Sequence, residues 1–357
     1  MPKPSIYFGA GLLAELETLF PDRGFHILRI PEISDADMRK IRSSLQGRVL
    51  SEVVYQQGMP DIRVVEDLQD NFWRYADCGN SVLLGMGGGS VMDAAKVLRF
   101  KPDGKAWLSR HLDVSIADQS LPKMPLLLAS TTAGTGSEVT PTATIWDFEN
   151  QCKHSFFGPQ VLADVAIIDP RLCLGAPWII SRDAAIDALS HALEAIWNIN
   201  RTKETDDLAI NAAQKICRYL PLLRDDLNNL EYRQALSESA LSAGMAMAKT
   251  QTALAHALSY AQTMNSKKTH GQACAYWLPY VWQLLIQSKC ESKILISINQ
   301  AIGEYFSTPT EMQEWLLALG FSVYPALTRD KTVEDQVNVV RLSARGKNFA
   351  GFSVNDK

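Results

Sequence analysis

What most constrains this chain is a change of pattern at Asp169-Pro170. Before it, "SIYFG", "FHILRI", "VLSEVVY", "SVLLGMGGGS" and "PLLLAST" have the β-branched, apolar character of strands. Between them, "GLLAELETLF", "SDADMRKIRSSL", "IRVVEDLQDNFWRYA" and "SVMDAAKVLRF" carry helical periodicity. This alternation predicts βαβ units, a Rossmann-like parallel sheet and a ligand crevice at its switch point. "HSFFGPQVLADVAIIDP" adds one or two further strands. Beyond Asp169-Pro170 strand patterns stop. "SRDAAIDALSHALEAIWN", "ETDDLAINAAQKICRYLPLL", "YRQALSESALSAGMAMA", "GQACAYWLPYVWQLLIQS" and "TEMQEWLLALG" predict an all-helical second domain. The expected division is an α/β N-terminal domain over 1–169 and a helical C-terminal domain over 170–357. A cleft between two such domains suits a small-molecule enzyme.

The bulk numbers narrow the class. A chain of 357 residues is too long for one ordinary core. With 46% hydrophobic and 21% charged residues it has the composition of a soluble globular protein. The net charge of −4, with no block of like charges, argues against nucleic-acid and membrane-surface partners. No basic-then-apolar leader opens the chain, and no apolar run is long enough to span a bilayer. Cys78, Cys152, Cys173, Cys217, Cys274 and Cys290 form no C-x-x-C pair, which fits reduced thiols in the cytoplasm.

Two glycine-rich turns follow apolar strands. "LLGMGGGSVMDAAK" runs through three glycines into a helix carrying Asp93 and Lys96. Bare N–H groups at such a helix start attract phosphate. The segment "ASTTAGTGSEVTPTATIW" offers hydroxyls and free N–H groups suited to diphosphate oxygens and a carboxamide. Alone, each is an ordinary turn or polar loop. Together, at the carboxyl ends of two parallel strands, they are a stronger signal for a nucleotide. Neither contains G-x-G-x-x-G.

"DAAIDALSHALEAIW" sets Asp187 and His191 four residues apart, on one face of a helix whose neighbours are small or apolar. "ALAHALSYAQTMNSKKTHG" adds His256 and His270, with Tyr260, Lys267 and Lys268 between them. Three histidines and an aspartate suit Fe(II) or Zn(II), with room for a substrate oxygen. By spacing alone, three buried histidines bonded to backbone is the slightly better account.

Taken together, these segments resemble the iron-containing (group III) alcohol dehydrogenase family. "GGGSVMDAAK" matches its G-G-G-S-x-x-D-x-A-K motif and "TTAGTGSEVT" its second nucleotide motif. "DALSHALE" and the "H…HG" pair match its metal ligands. The resemblance implies the two-domain architecture shared with dehydroquinate synthases, and NAD(P)-dependent alcohol and aldehyde chemistry. It implies a divalent metal, Fe(II) or Zn(II), on Asp187, His191, His256 and His270. Gly87, Gly88, Gly89, Ser90 and Asp93 would hold diphosphate and ribose. Thr131, Thr132, Thr135 and Ser137 would line the nicotinamide side, with Lys153 near the ribose. A homodimer or larger homo-oligomer is expected.

Departures from the pattern matter as well. Where many relatives carry a further histidine, this chain has Tyr260, which suits either a proton relay or plain packing. "LAD" replaces the usual L-P-D, and the last fifty residues are short of the family's usual ending, which implies incomplete C-terminal helices. "FHILRIPEIS" has Arg29 and Pro31 where NAD-selective relatives often have an Asp, which leaves NAD and NADP both open, with tolerance of the 2′-phosphate slightly favoured. "ALSYAQT" and "EVTPTATIWD" look most like the phosphonoacetaldehyde reductase branch. Lys267 and Lys268 suit an anionic substrate there, although a solvated loop explains them cheaply. The alternatives are a general short-chain alcohol or diol dehydrogenase, a dehydroquinate-synthase-like lyase, and a metal-binding protein without activity. The lyase lacks the D-x-x-x-H pair.

Overall fold

The computed structural model describes residues 3–56, 58–118, 120–266, 268–288, 290–324 and 331–352. The chain forms two compact units. One comprises Met1–Thr132 and Ser137–Gly175, and the other Ala133–Gly136 and Ala176–Lys357.

In the first unit the strands are β1 (Ser5–Phe8), β2 (Gly24–Arg29), β3 (Val49–Val54), β4 (Ser81–Gly87), β5 (Leu126–Ser130), β6 (Thr142–Asp147), β7 (Cys152–Phe157) and β8 (Val165–Ile168). Six of them pair in parallel in the order β1-β8-β5-β4-β2-β3. Every residue of β4 and β5 is buried, as expected of central strands covered on both faces. One apolar cluster gathers Val91, Met92, Ala95, Trp107 and Phe156 with Leu83 and Leu128. A second gathers Leu16, Met38 and Ile41 with Leu84 and Leu127. The direction in which successive strands are added across the sheet reverses between β2, which leads outward to β3, and β4, which leads the other way to β5. That is the switch point, and Gly87 ends the strand beside it.

Thr142–Asp147, read from sequence as part of a polar loop, is β6, paired antiparallel with β7. Ala143 and Ile145 alternate inward while Thr142 and Thr144 stay half-buried, and the partner strand supplies the hydrogen bonds that the isolated segment lacks.

The second unit is helical among its described residues: Trp178–Ile196, Lys203–Asp225, Leu230–Thr250, Leu254–Ser266, His270–Gln287, Ser292–Ile302, Pro309–Ala318 and Lys331–Val340. Thr202, Asn229, Thr269 and Thr308 cap four of these with side-chain oxygens. Trp178–Ile196 is buried over nearly its whole length and is the axis of the unit's core. Ala133–Gly136 belongs here because its glycines permit close approach. A Cβ on Gly134 would lie 2.8 Å from that of Ala184, and one on Gly136 2.5 Å from Gly244 Cα. No described helix is long and apolar enough to cross a membrane.

Candidate metal centre and nucleotide turn

Asp187 and His191 lie one turn apart on the buried helix Trp178–Ile196, and Glu194 follows at the next turn of the same face. His256 lies on Leu254–Ser266. His270 is the first residue of its own helix, capped by Thr269, whose hydroxyl donates to Asp183 at 2.7 Å. Gly271 is what lets that helix start so near the axis, since a Cβ there would fall 1.9 Å from the Asp183 carbonyl oxygen.

The result is a single carboxylate oxygen ringed by imidazoles. Asp187 Oδ1 is 3.8 Å from His191 Nε2, 3.5 Å from His256 Nε2 and 3.7 Å from His270 Nε2. Those separations are long for hydrogen bonds. Among the described residues neither Asp187 Oδ1 nor His256 Nε2 has a hydrogen-bond partner, although both are buried. Ligands about 2.1 Å from a tetrahedral ion stand about 3.4 Å apart, so the donor spacing fits a divalent ion of the Zn(II) or Fe(II) kind. The site opens on one side: the His270 side chain is 28% exposed, against 3–5% for the other three.

Electrostatics agree with the geometry. Burial alone would push the Asp187 carboxyl up, but the three imidazoles around it hold it below the usual carboxylate range. Burial likewise favours neutral His256, yet Cys274, Glu194 and Asp187 outweigh it and raise its pKa well above the ordinary value.

Two residues of this site were not anticipated from sequence. Glu194 is fully buried. It accepts from the backbone N–H of Ala253 at 2.6 Å and of His256 at 3.0 Å, and its Oε2 lies 2.8 Å from His256 Nδ1. This contact holds the Nδ1 proton against the carboxylate and aims Nε2 toward Asp187 Oδ1. Its place seven residues after Asp187 was the available signal. Cys274, four residues after His270, brings its sulfur to 3.9 Å from His270 Nε2. Donor atoms of Asp187, His256, His270 and Cys274 all lie within 4.8 Å of one another.

The Tyr260 ring is nearly parallel to that of His270, centroids 6.4 Å apart, with the Arg345 guanidinium 5.2 Å from its centre. Lys268 donates to Ser322 Oγ at 3.0 Å and sits 4.8 Å over the Tyr276 ring. The Lys268 ammonium thus contacts a hydroxyl and an aromatic face. Lys267 lies outside the described residues.

In the first unit the helix Gly89–Leu98 starts directly after β4 with Gly88 as its N-cap, so Gly89 and Ser90 lie in the first turn, whose N–H groups have no partner within the helix, while Gly87 ends β4 opposite Ser130. The Thr131 N–H donates to the Gly87 carbonyl at 3.0 Å, and Thr132 Oγ1 would lie 3.3 Å from a Cβ on Gly88. Asp93 and Ser137 meet, but in a closed network. Asp93 accepts from Ser137 Oγ at 2.6 Å and from the Thr144 N–H at 2.8 Å. The fully buried Lys96 ammonium donates to Ser137 Oγ at 2.7 Å and to the Thr142 carbonyl at 2.6 Å. The network ties the second glycine-rich segment and β6 to the first helix turn. Thr135 belongs to the helical unit. Lys153, on β7, lies 5.7 Å over the Trp146 ring. At the end of β2, Arg29 donates to Glu52 at 2.7 Å and to its neighbour's carbonyl, so its guanidinium is held by an acid.

Residues 3–170 match the family model described as iron-containing alcohol dehydrogenase, and residues 182–341 the model for the C-terminal part of the same family. The chain belongs to the iron-containing alcohol dehydrogenase family. It is 34% identical over 202 residues to the phosphonoacetaldehyde reductase of Streptomyces viridochromogenes, covering 55% of this chain and 51% of the relative. It is also 34% identical over 200 residues to a 1-propanol dehydrogenase of Citrobacter freundii, covering 56% of this chain and 50% of the relative. The matched part thus spans about half the length of these family members. Among solved structures, a sulfoacetaldehyde reductase of Bifidobacterium kashiwanohense in complex with NAD+ shares the fold. Its TM-score is 0.82 at 22% identity, over 99% of this chain and 94% of that one.

Proposed function

We propose that this chain is a metal-dependent NAD(P)H oxidoreductase that interconverts a small aldehyde and its primary alcohol. The observation that carries the reading is the convergence of three imidazole nitrogens on one buried, unpartnered oxygen of Asp187. In this reading Asp187, His191, His256 and His270 hold Fe(II) or Zn(II). A divalent ion there would supply Lewis-acid stabilisation of the negative charge that develops on a carbonyl oxygen. Glu194 keeps His256 in the required tautomer, and His270, at the open edge, admits the substrate. Tyr260, beside His270, is assigned the proton that the product oxygen takes up. Gly87, Gly88, Gly89 and Ser90 seat the cofactor diphosphate, with Thr131 and Thr132 alongside. Asp93 and Ser137 support that turn from within. Thr135 and Lys153 remain assigned to the nicotinamide and ribose, on family resemblance. The enzyme works as a cytoplasmic homo-oligomer in this reading.

For substrate we propose phosphonoacetaldehyde, reduced to 2-hydroxyethylphosphonate, on the strength of the 34% identity to a phosphonoacetaldehyde reductase and the motifs shared with that branch. A short-chain alcohol is the second reading, favoured by an equal 34% identity to a 1-propanol dehydrogenase. The test is NADH and NADPH oxidation by the Zn(II)- and Fe(II)-loaded protein against an aldehyde panel. The expected result is a kcat/KM for phosphonoacetaldehyde at least about tenfold above propanal, a difference of about 1.4 kcal/mol. Equal or reversed preference overturns the phosphonate assignment, and no turnover of any aldehyde overturns the oxidoreductase reading.

A further inference from the structure

Three side chains of different chemistry meet at the tip of the β6–β7 hairpin. Asp147 faces Cys152 and Ile145 faces His154 in the antiparallel register. Asp147, Cys152 and His154 therefore share the face that Ala143, Ile145 and Phe156 bury further along, while Trp146 and Lys153 take the opposite one. The Cys152 sulfur and His154 Nε2 are 3.2 Å apart, and one donor atom from each of the three residues lies within 4.8 Å of the others. A tetrahedral ion about 2.3 Å from a sulfur and about 2.0 Å from a nitrogen would hold that pair about 3.5 Å apart. The spacing is already close to that.

The imidazole is braced for the role. His154 Nδ1 is 2.7 Å from Asp113 Oδ2, and the other oxygen of Asp113 accepts from the Ser155 N–H at 2.8 Å. The Asp113 N–H in turn donates to the Ser155 carbonyl at 2.7 Å. A carboxylate on Nδ1 fixes the tautomer that leaves the Nε2 lone pair facing the sulfur, available to a cation between them. Asp147 accepts two bonds from Asn150, at 2.9 Å and 2.8 Å, which anchors its carboxylate and leaves lone pairs over.

We propose that Asp147, Cys152 and His154 form a second cation site, for a borderline-soft divalent ion such as Zn(II). Sulfur, imidazole and carboxylate together select that class over Mg(II) or Ca(II), which take oxygen donors. The three residues are half-buried, so a fourth position stays open to solvent. The ion bridges both strands of the hairpin and does not involve the Asp187 set. On ligation the Cys152 thiol passes its proton to solvent, so binding weakens as pH falls.

The experiment titrates Co(II) into the full chain as wild type, Cys152→Ser, His154→Gln and Cys274→Ser. Bound metal per chain and the thiolate-to-cobalt charge-transfer absorbance are read together. Cys152→Ser and His154→Gln are expected to bind one equivalent fewer than wild type. Cys152→Ser should also lose the charge-transfer band that Cys274→Ser keeps. Because the readout is a difference from wild type, it holds whether or not the Asp187 site fills. Equal metal content in wild type and Cys152→Ser, or a band that follows Cys274 instead, overturns the proposal. His154→Gln, which removes no thiol, guards against a defect peculiar to the cysteine variant.

Discussion

At the scale of single residues, Glu194 shows how a side chain can govern a site without facing its substrate. Its carboxylate accepts from two backbone N–H groups and lies against His256 Nδ1, so it fixes both the start of a helix and the tautomer of one imidazole. Glu194→Gln keeps the volume and offers one acceptor oxygen in place of two. Metal affinity is expected to fall about 10–100-fold, measured by Zn(II) retention against a competing chelator. Unchanged retention would mean that helix packing alone aims His256. Tyr260 is the complementary case, next to the open edge. Tyr260→Phe keeps the ring against His270 and Arg345 and removes only the hydroxyl. A relay role predicts a turnover lower by about 10²-fold with cofactor binding preserved. A loss under about threefold, on the same general acid–base scale, would reduce Tyr260 to packing.

At the scale of elements, the strand–turn–helix unit from β4 into Gly89–Leu98 separates two kinds of glycine. A Cβ on Gly87 would meet Val91 and Ile30 atoms at 2.7–2.9 Å, so its bareness serves the packing of helix on sheet. A Cβ on Gly88 would meet only the Thr132 side chain, at 3.3 Å and 3.6 Å, so packing does not require its bareness, whereas the proposed diphosphate contact would. Gly88→Val is expected to leave the thermal midpoint nearly unchanged while NAD(P)H affinity, read by fluorescence titration, drops at least about tenfold, or 1.4 kcal/mol. Gly87→Val should lower the thermal midpoint through overpacking of about 1–3 kcal/mol. The reverse pattern would move the nucleotide off this turn.

At the scale of the molecule, two units with different architectures divide the work assigned to them. The sheet unit carries the glycine turn and the helical unit carries the ring of donors. A buried carboxylate facing three imidazoles is costly to fold without a cation to satisfy it. An ion held at about 100 times its dissociation constant stabilises the native state by about 2.7 kcal/mol. At about 2–4 °C per kcal/mol for a unit of this size, chelation should lower its thermal midpoint by roughly 5–10 °C. Calorimetry with and without chelator, on wild type and His270→Ala, checks this. The variant should lose the response, and an equal response in both would place the stabilising ion elsewhere.

The sequence by itself determined what is local. Short apolar, β-branched runs gave the parallel-sheet strands and the 3.6-residue period gave the helices, because both are properties of neighbouring residues and backbone geometry. The i, i+4 spacing put Asp187 and His191 on one face for the same reason. Tertiary structure decided the rest. His256 and Glu194 are 62 residues apart, and only helix packing brings them to 2.8 Å. Glu194 and Cys274 share helix faces with Asp187 and His270 at i+7 and i+4, but only packing between helices brings those faces together. Thr142–Asp147 became a strand because β7 pairs with it, and Lys268 turned to Ser322 and Tyr276, 54 and 8 positions away. Local propensity costs a few tenths of a kcal/mol per residue to override, and burial of a side chain outweighs it. Contacts across long separations therefore fix which donors meet, after the local code has fixed only which face each one occupies.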